Sequence, residues 1–197
     1  DSDSFVLTVT AVNDAPVLVD IDDQTVNEDN AIEIVLTATD ADGDAVTYSA
    51  ESDTVDVTAS VSGSLLTLTP ALNFNGTATI SVTANDGTVD SDTKTFTLTV
   101  TAVNDAPELA SIENQTTAEE TSLDITLSVA DIDGDNLSYT AVSDNEGVTT
   151  SVSGDILTLT PAGDFNGTAT ITVTVSDDGD PVLTDSDSFV LTVTAVN

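Results

Sequence analysis

Thr10-Ala11-Val12-Asn13-Asp14-Ala15-Pro16 returns as Thr101-Ala102-Val103-Asn104-Asp105-Ala106-Pro107, and its first four residues recur at Thr194–Asn197. Asn13 and Asn104 are 91 residues apart, and Asn104 and Asn197 are 93 apart. A heptapeptide returning at that distance marks a tandem array whose unit has the size of a small domain. Other segments keep the 91-residue offset: DADGD at Asp40–Asp44 with DIDGD at Asp131–Asp135, LTLTPA at Leu66–Ala71 with Leu157–Ala162, and FNGTATI at Phe74–Ile80 with Phe165–Ile171. Two residues are inserted near Pro181. Asp1–Asn13 is identical to Asp185–Asn197, so residues 1–13 are expected to be the last strand of a preceding repeat. Residues 14–104 and 105–197 are then expected to form two domains.

Within each repeat, short runs alternate apolar and polar residues, with turn residues every ~8–12 positions, the pattern of a two-sheet sandwich. The inward set is Ile32, Ile34, Leu36 and Ala38 in Ala31–Thr39. It is Ala78, Ile80, Val82 and Ala84 in Thr77–Ala84, and Phe96, Leu98, Val100 and Ala102 in Thr95–Ala102. Thr fills the outer positions, where its β-branched side chain suits a pleated surface. Adding Val46–Glu51, Val55–Val61, Ser64–Thr69 and a first strand near Gln24–Val26 gives about seven strands per repeat, as in an immunoglobulin-like domain. No stretch carries helical periodicity. The fold class expected is all-β: tandem immunoglobulin-like Greek-key sandwiches placed end to end.

Composition narrows the chemistry. The chain is 39% apolar, with two Tyr, five Phe and no Trp or Met, so its cores are built of Val, Ile, Leu and Ala. Lys94 is the one basic residue against 36 acidic ones, a net charge of −35. That balance excludes nucleic acid and anionic lipid as electrostatic partners. The regular alternation argues against a disordered acidic tail, which leaves carboxylates that are solvated or neutralised by cations. With no Cys and no His there is no thiolate or imidazole ligand and no imidazole base. No run of ~18 apolar residues suggests a membrane span.

Between the repeats, Val103-Asn104-Asp105-Ala106-Pro107 is short. Pro107 fixes its own φ and holds Ala106 extended, so the domains are expected to follow one another without slack.

Asp40-Ala41-Asp42-Gly43-Asp44 sets three carboxylates at every second position, with a Gly that lets the backbone fold back, and hard oxygen donors in such a loop suit Ca²⁺. The same letters also suit a solvated Asp-Gly turn. Recurrence at Asp131–Asp135 favours the ion. An EF-hand is rejected: its loop needs Gly at the sixth position and an acid at the twelfth, whereas Gly is fourth here and Val142 stands twelfth after Asp131.

Four features taken together resemble the cadherin repeat, most of all the cadherin-like tandem repeats of large RTX-type bacterial surface adhesins. They are Asn104-Asp105-Ala106-Pro107 after a terminal strand, Asn27-Glu28-Asp29 before the next, Asp-x-Asp after that one, and Asn85-Asp86-Gly87 after the penultimate strand. The resemblance covers essentially the whole chain. It implies calcium held by Glu28 of one repeat, Asn104 and Asp105 of the linker, and Asp131, Asp133 and Asp177 of the next, with a half-site of Asn13, Asp14, Asp40, Asp42 and Asp86. It departs from the cadherin pattern at Asn73-Phe74-Asn75 and Asp164-Phe165-Asn166, where Asp-Arg-Glu is expected, and at Ala102 and Ala106 of the linker. Fewer anionic ligands imply one or two ions per junction, held at roughly 10⁻⁴–10⁻³ M. Asn75 and Asn166 also read as plain Asn-Gly turns.

The functional expectation is a non-enzymatic, extracellular, cell-surface spacer for adhesion and biofilm, a calcium-stiffened rod that projects a distal binding domain. Its partners would be calcium ions and neighbouring repeats, with no insertion into membrane. A recognition module for carbohydrate or for another copy of itself, and an accessory domain of a secreted enzyme, are the alternatives. Aromatic sugar platforms are scarce, and narrow sandwiches offer no deep pocket for a carboxylate-pair hydrolase.

Overall fold

The structure, a computed structural model, describes residues 3–196. Its strands divide into two units that meet between Val103 and Asn104.

In the first unit the strands are β1 (Val17–Leu18), β2 (Gln24–Asn27), β3 (Ile32–Val35), β4 (Ala38–Thr39), β5 (Thr47–Ser52), β6 (Val57–Ser62), β7 (Leu65–Pro70), β8 (Gly76–Asn85) and β9 (Lys94–Thr101). They form a four-stranded sheet β2-β9-β8-β5, a three-stranded sheet β3-β7-β6, and the short pair β1-β4. β2 runs parallel to β9, and the remaining pairs are antiparallel. The seven longer strands match the expected number. The run Ala31–Thr39, read as one strand, is two: Leu36 N–H still follows the β3–β7 register in donating to Ser64 O, whereas Thr37 O already follows the β1–β4 register in accepting from Val19 N–H. The chain there passes from the β3-β7-β6 sheet to the β1-β4 pair.

The second unit repeats the plan with β10 (Glu108–Leu109), β11 (Gln115–Ala118), β12 (Leu123–Thr126), β13 (Val129–Ala130), β14 (Ser138–Ser143), β15 (Val148–Ser153), β16 (Ile156–Pro161), β17 (Gly167–Ser176) and β18 (Thr184–Thr194). Its sheets are β11-β18-β17-β14, β12-β16-β15 and β10-β13. No α-helix occurs among the described residues.

Period-two patterning builds each core. Ala78, Ile80, Val82 and Ala84 of β8 are buried together with Phe96, Leu98 and Val100 of β9, facing Leu66 and Leu68 of β7. Ala169, Ile171, Val173 and Val175 of β17 meet Phe189, Leu191 and Val193 of β18 and Leu157 and Leu159 of β16. Each fully buried Leu or Ile contributes about 1.5–3 kcal/mol of transfer free energy. Of the closing strand expected at Asp1–Asn13, Asp1 and Ser2 lie outside the described residues, and residues 3–13 form no strand.

Candidate metal centre

Strand pairing gathers the acidic loops at one end of each unit. β1 and β4 are antiparallel with Val17 opposite Thr39, so the residues before β1 lie beside those after β4. β5 and β8 are antiparallel with Thr47 opposite Asn85, which brings Asp86 to the loop preceding β5. Asn13-Asp14, Asp40–Asp44 and Asp86 therefore share one end of the first unit. The pairs Glu108 with Ala130 and Ser138 with Ser176 do the same for Asn104-Asp105, Asp131–Asp135 and Asp177 in the second.

Hydrogen bonds fix these segments in the same way in both units. Asp14 N–H donates to Asp42 Oδ2 at 2.8 Å, and Asp105 N–H donates to Asp133 Oδ2 at 2.7 Å. The Asn13 amide donates to Asp86 Oδ2 at 2.7 Å, and that of Asn104 to Asp177 Oδ2 at 3.0 Å. Asp86 Oδ1 takes the N–H groups of Thr88 and Val89, and Asp177 Oδ1 those of Gly179 and Leu183. Asp40 Oδ1 accepts from Asp42 N–H and Asp44 N–H, and Asp131 Oδ1 from Gly134 N–H and Asp135 N–H. The tight return needs a left-handed residue, supplied by Gly43 (φ 82°) and Gly134 (φ 76°), where a Cβ would be strained.

One carboxylate oxygen each of Asp40, Asp42, Asp131 and Asp133 is thus tied down by backbone N–H groups. Asp40 Oδ2, Asp131 Oδ2 and Asp135 Oδ2 are buried with no hydrogen-bond partner. Carboxylate oxygens of Asp40, Asp42 and Asp44 lie within 4.8 Å of one another, as do those of Asp131, Asp133 and Asp135. Buried anionic oxygens without donors are costly unless a cation or proton meets them, and an all-oxygen set of this kind fits a hard divalent ion.

Charge state follows the same division. The Val89 N–H and the Asn13 amide hold the Asp86 carboxyl below the ordinary Asp range. Asp135 is pushed up, first by withdrawal from water and then by the like charges of Asp131, Asp178, Asp133 and Asp177. Asp178, aligned with Gly87 of the first unit, is held low by the side-chain amide and backbone N–H of Asn136.

Glu28 stands elsewhere in the first unit. Asn27 pairs with Thr101 in the parallel β2–β9 ladder, so Glu28 follows at the opposite end of the sheet from Asp86, where its Oε1 accepts Val103 N–H at 2.6 Å. Glu119 repeats this with Val196 N–H at 2.7 Å. Sequence reasoning passed over Glu119 and Asp178, and it counted Asp44 and Asp135 among the carboxylates of DxDGD while leaving them out of the ligand set implied by the resemblance. The 91-residue offset from Glu28 points directly to Glu119.

The profile of the bacterial Ig domain family matches twice, at residues 13–99 and 104–194. The chain belongs to the bacterial Ig domain family. In fold the chain is similar to cadherin repeats. A mouse Cadherin-23 EC22-24 structure shares 21% identity at a TM-score of 0.56 and covers 92% of the chain and 65% of its own. Human mucin-like protocadherin EC1-2 is similar at 20% identity and TM-score 0.52, covering 92% and 98%. Drosophila N-cadherin EC1-4 gives 15% and 0.52, covering 92%. The chain spans about half the length of the N-cadherin structure. At these identities the likeness is one of fold. Comparison with curated proteins found no match. The tandem repeat read from the sequence is shown by the two family matches, and its cadherin-like fold by the structural likeness.

Proposed function

We propose that this pair of bacterial Ig repeats binds calcium and serves as an extender of an extracellular bacterial adhesin, a rod stiffened by the ion that carries a binding domain away from the cell surface. The observation that carries the reading is the set of buried, unpartnered oxygens Asp40 Oδ2, Asp131 Oδ2 and Asp135 Oδ2 inside carboxylate clusters. In the second repeat Asn104, Asp105, Asp131, Asp133 and Asp177 would hold the ion, with Asp135 as a further donor, and by resemblance to cadherins Glu28 of the preceding repeat would join them. In the first, Asn13, Asp14, Asp40, Asp42 and Asp86 are the corresponding set. Calcium would supply the positive charge that a chain of net charge −35 lacks. The repeat boundaries that go with this reading are 14–104 and 105–197, with 1–13 closing an earlier repeat. The role is non-catalytic.

An ion bound only to the native state adds RT ln(1 + [L]/Kd), about 2.7 kcal/mol at ~100 times Kd. Millimolar Ca²⁺ is therefore expected to raise the melting temperature well beyond NaCl at equal ionic strength. Equal shifts from the two salts mean screening alone and defeat the proposal. Rod stiffening is read separately by small-angle scattering with chelator and with Ca²⁺; an unchanged maximum dimension rejects that part.

A further inference from the structure

Four segments read Asn-x-Ser/Thr, the pattern that accepts an Asn-linked sugar: Asn75-Gly76-Thr77, Asn114-Gln115-Thr116, Asn136-Leu137-Ser138 and Asn166-Gly167-Thr168. So short a pattern arises by chance in a Thr-rich chain, and its letters alone decide nothing. The fold separates the four. The Asn136 side-chain amide and backbone N–H both donate to the Asp178 carboxylate at 2.8 Å. Leu137 packs against the second core. Asn114 Oδ1 accepts Val190 N–H at 2.8 Å, and Gln115 and Thr116 are paired with β18. Asn75, Thr77, Asn166 and Thr168 are instead exposed, and no hydrogen bond within the chain engages their side chains. Backbone geometry gives no reason for Asn at 75 and 166 either. A two-residue Asn-Gly turn of type I′ needs positive φ at both residues. In the loop before β8 positive φ falls on Asn73 (56°) and Gly76 (150°), and before β17 on Asp164 (61°) and Gly167 (145°). A Cβ at Gly76 would stand 3.2 Å from the Phe74 ring, so the glycine has a structural reason that the asparagine before it lacks.

We propose that Asn75 and Asn166 are acceptor sites for an N-linked sugar, one in each repeat and 91 residues apart. In the transfer the amide nitrogen bonds to C1 of the sugar of a nucleotide-diphosphate-sugar donor. The bond from C1 to the diphosphate breaks, the nucleoside diphosphate leaves with that electron pair, and the amide nitrogen gives one proton to a base of the transferase. The free hydroxyls of Thr77 and Thr168 complete the pattern the transferase reads. Each acceptor directly precedes the first residue of a long strand, β8 or β17. Strand ends open locally at little cost, so the enzyme can take in the loop without unfolding the repeat, whereas Asn114 and Asn136 must first give up their bonds to Val190 and Asp178. The inference is independent of calcium.

The test uses the full chain, UDP-glucose and a soluble asparagine glucosyltransferase chosen because it modifies a synthetic peptide of residues 72–80. Mass-spectrometric peptide mapping gives the rate at each asparagine of the folded chain. Each rate is divided by that of the matching free peptide (72–80, 111–119, 133–141 or 163–171), which removes the enzyme's own preference among the letters. One hexose is expected on Asn75 and one on Asn166 with ratios close to those of the free peptides, and loss of modification at Asn114 and Asn136. Asn75→Gln and Asn166→Gln should each remove one hexose and leave the other. The chain isolated from its native cells is expected to carry sugar at the same two positions. Equal ratios at all four sites, bare Asn75 and Asn166 in the folded chain, or a sugar-free chain from native cells would overturn the assignment.

Discussion

Leu7 and Leu191 occupy the same place in identical thirteen-residue segments, yet replacing each by Ala should have very different consequences. Leu191 is 0% exposed, packed among β16, β17 and β18, and its truncation loses buried methyl groups and leaves a cavity between two sheets. Changes of that kind cost about 2–5 kcal/mol. For a unit of this size each kcal/mol moves the melting temperature by about 4–8 °C, so a loss of ~3 kcal/mol lowers the second unit's transition by about 12–24 °C. Leu7 is 77% exposed, and its truncation falls within ~0.5 kcal/mol. Scanning calorimetry on the two single variants makes the comparison, with the first unit's transition as an internal reference. Similar shifts from both variants would refute the burial argument and with it the two-sheet packing described for β18.

Other outcomes follow from the loops. Gly134→Ala meets no neighbouring atom but must hold a Cβ at φ 76°, so the second unit should lose about 1–2 kcal/mol, read by denaturant melts. Gly179→Ala would drive a Cβ into the Asn104 amide and break its bond to Asp177; calcium titration should show affinity for the second repeat weaker by about tenfold or more, with the first repeat's binding unchanged. Asp86 has a depressed folded pKa. Its stabilisation is therefore present above the unfolded value, ~3.9, and is lost as pH falls through the folded one. Asp135 has a raised pKa and works in the opposite sense, stabilising the apo fold only when protonated. Asp86→Asn should flatten the acid limb of a pH-dependent melting series, whereas Asp135→Asn should stabilise the calcium-free protein near neutral pH.

The sandwich was legible because every long strand alternates in step with its burial: Ala78, Ile80, Val82 and Ala84 point inward as their spacing requires. The break within Ala31–Thr39 was not. Alternation continues across it while the backbone changes partners, and the two-residue strands β1 and β4 are too short to leave a pattern. The expected ligands converge as far as hydrogen bonds within each unit show, since Asn13 reaches Asp86 and Asp14 reaches Asp42. Asp44 and Asp135 count among the carboxylates of DxDGD but stand outside the ligand set that the cadherin resemblance implies. Only the geometry shows that Asp135 keeps a buried oxygen without a donor. The contrast between Phe5 and Phe189 was beyond any reading of letters, because identical strings differ only in whether a sheet is there to receive them.

Calcium binding is tested most directly by isothermal titration of Ca²⁺ into the full chain and into its Asp133→Ala variant. The expected result is saturable binding by the parent chain in the range of roughly 10⁻⁴–10⁻³ M, and loss of a binding event in Asp133→Ala with the Asp40–Asp42 site of the first repeat retained. Absence of saturable heat in the parent chain, or the same stoichiometry in both proteins, would contradict it.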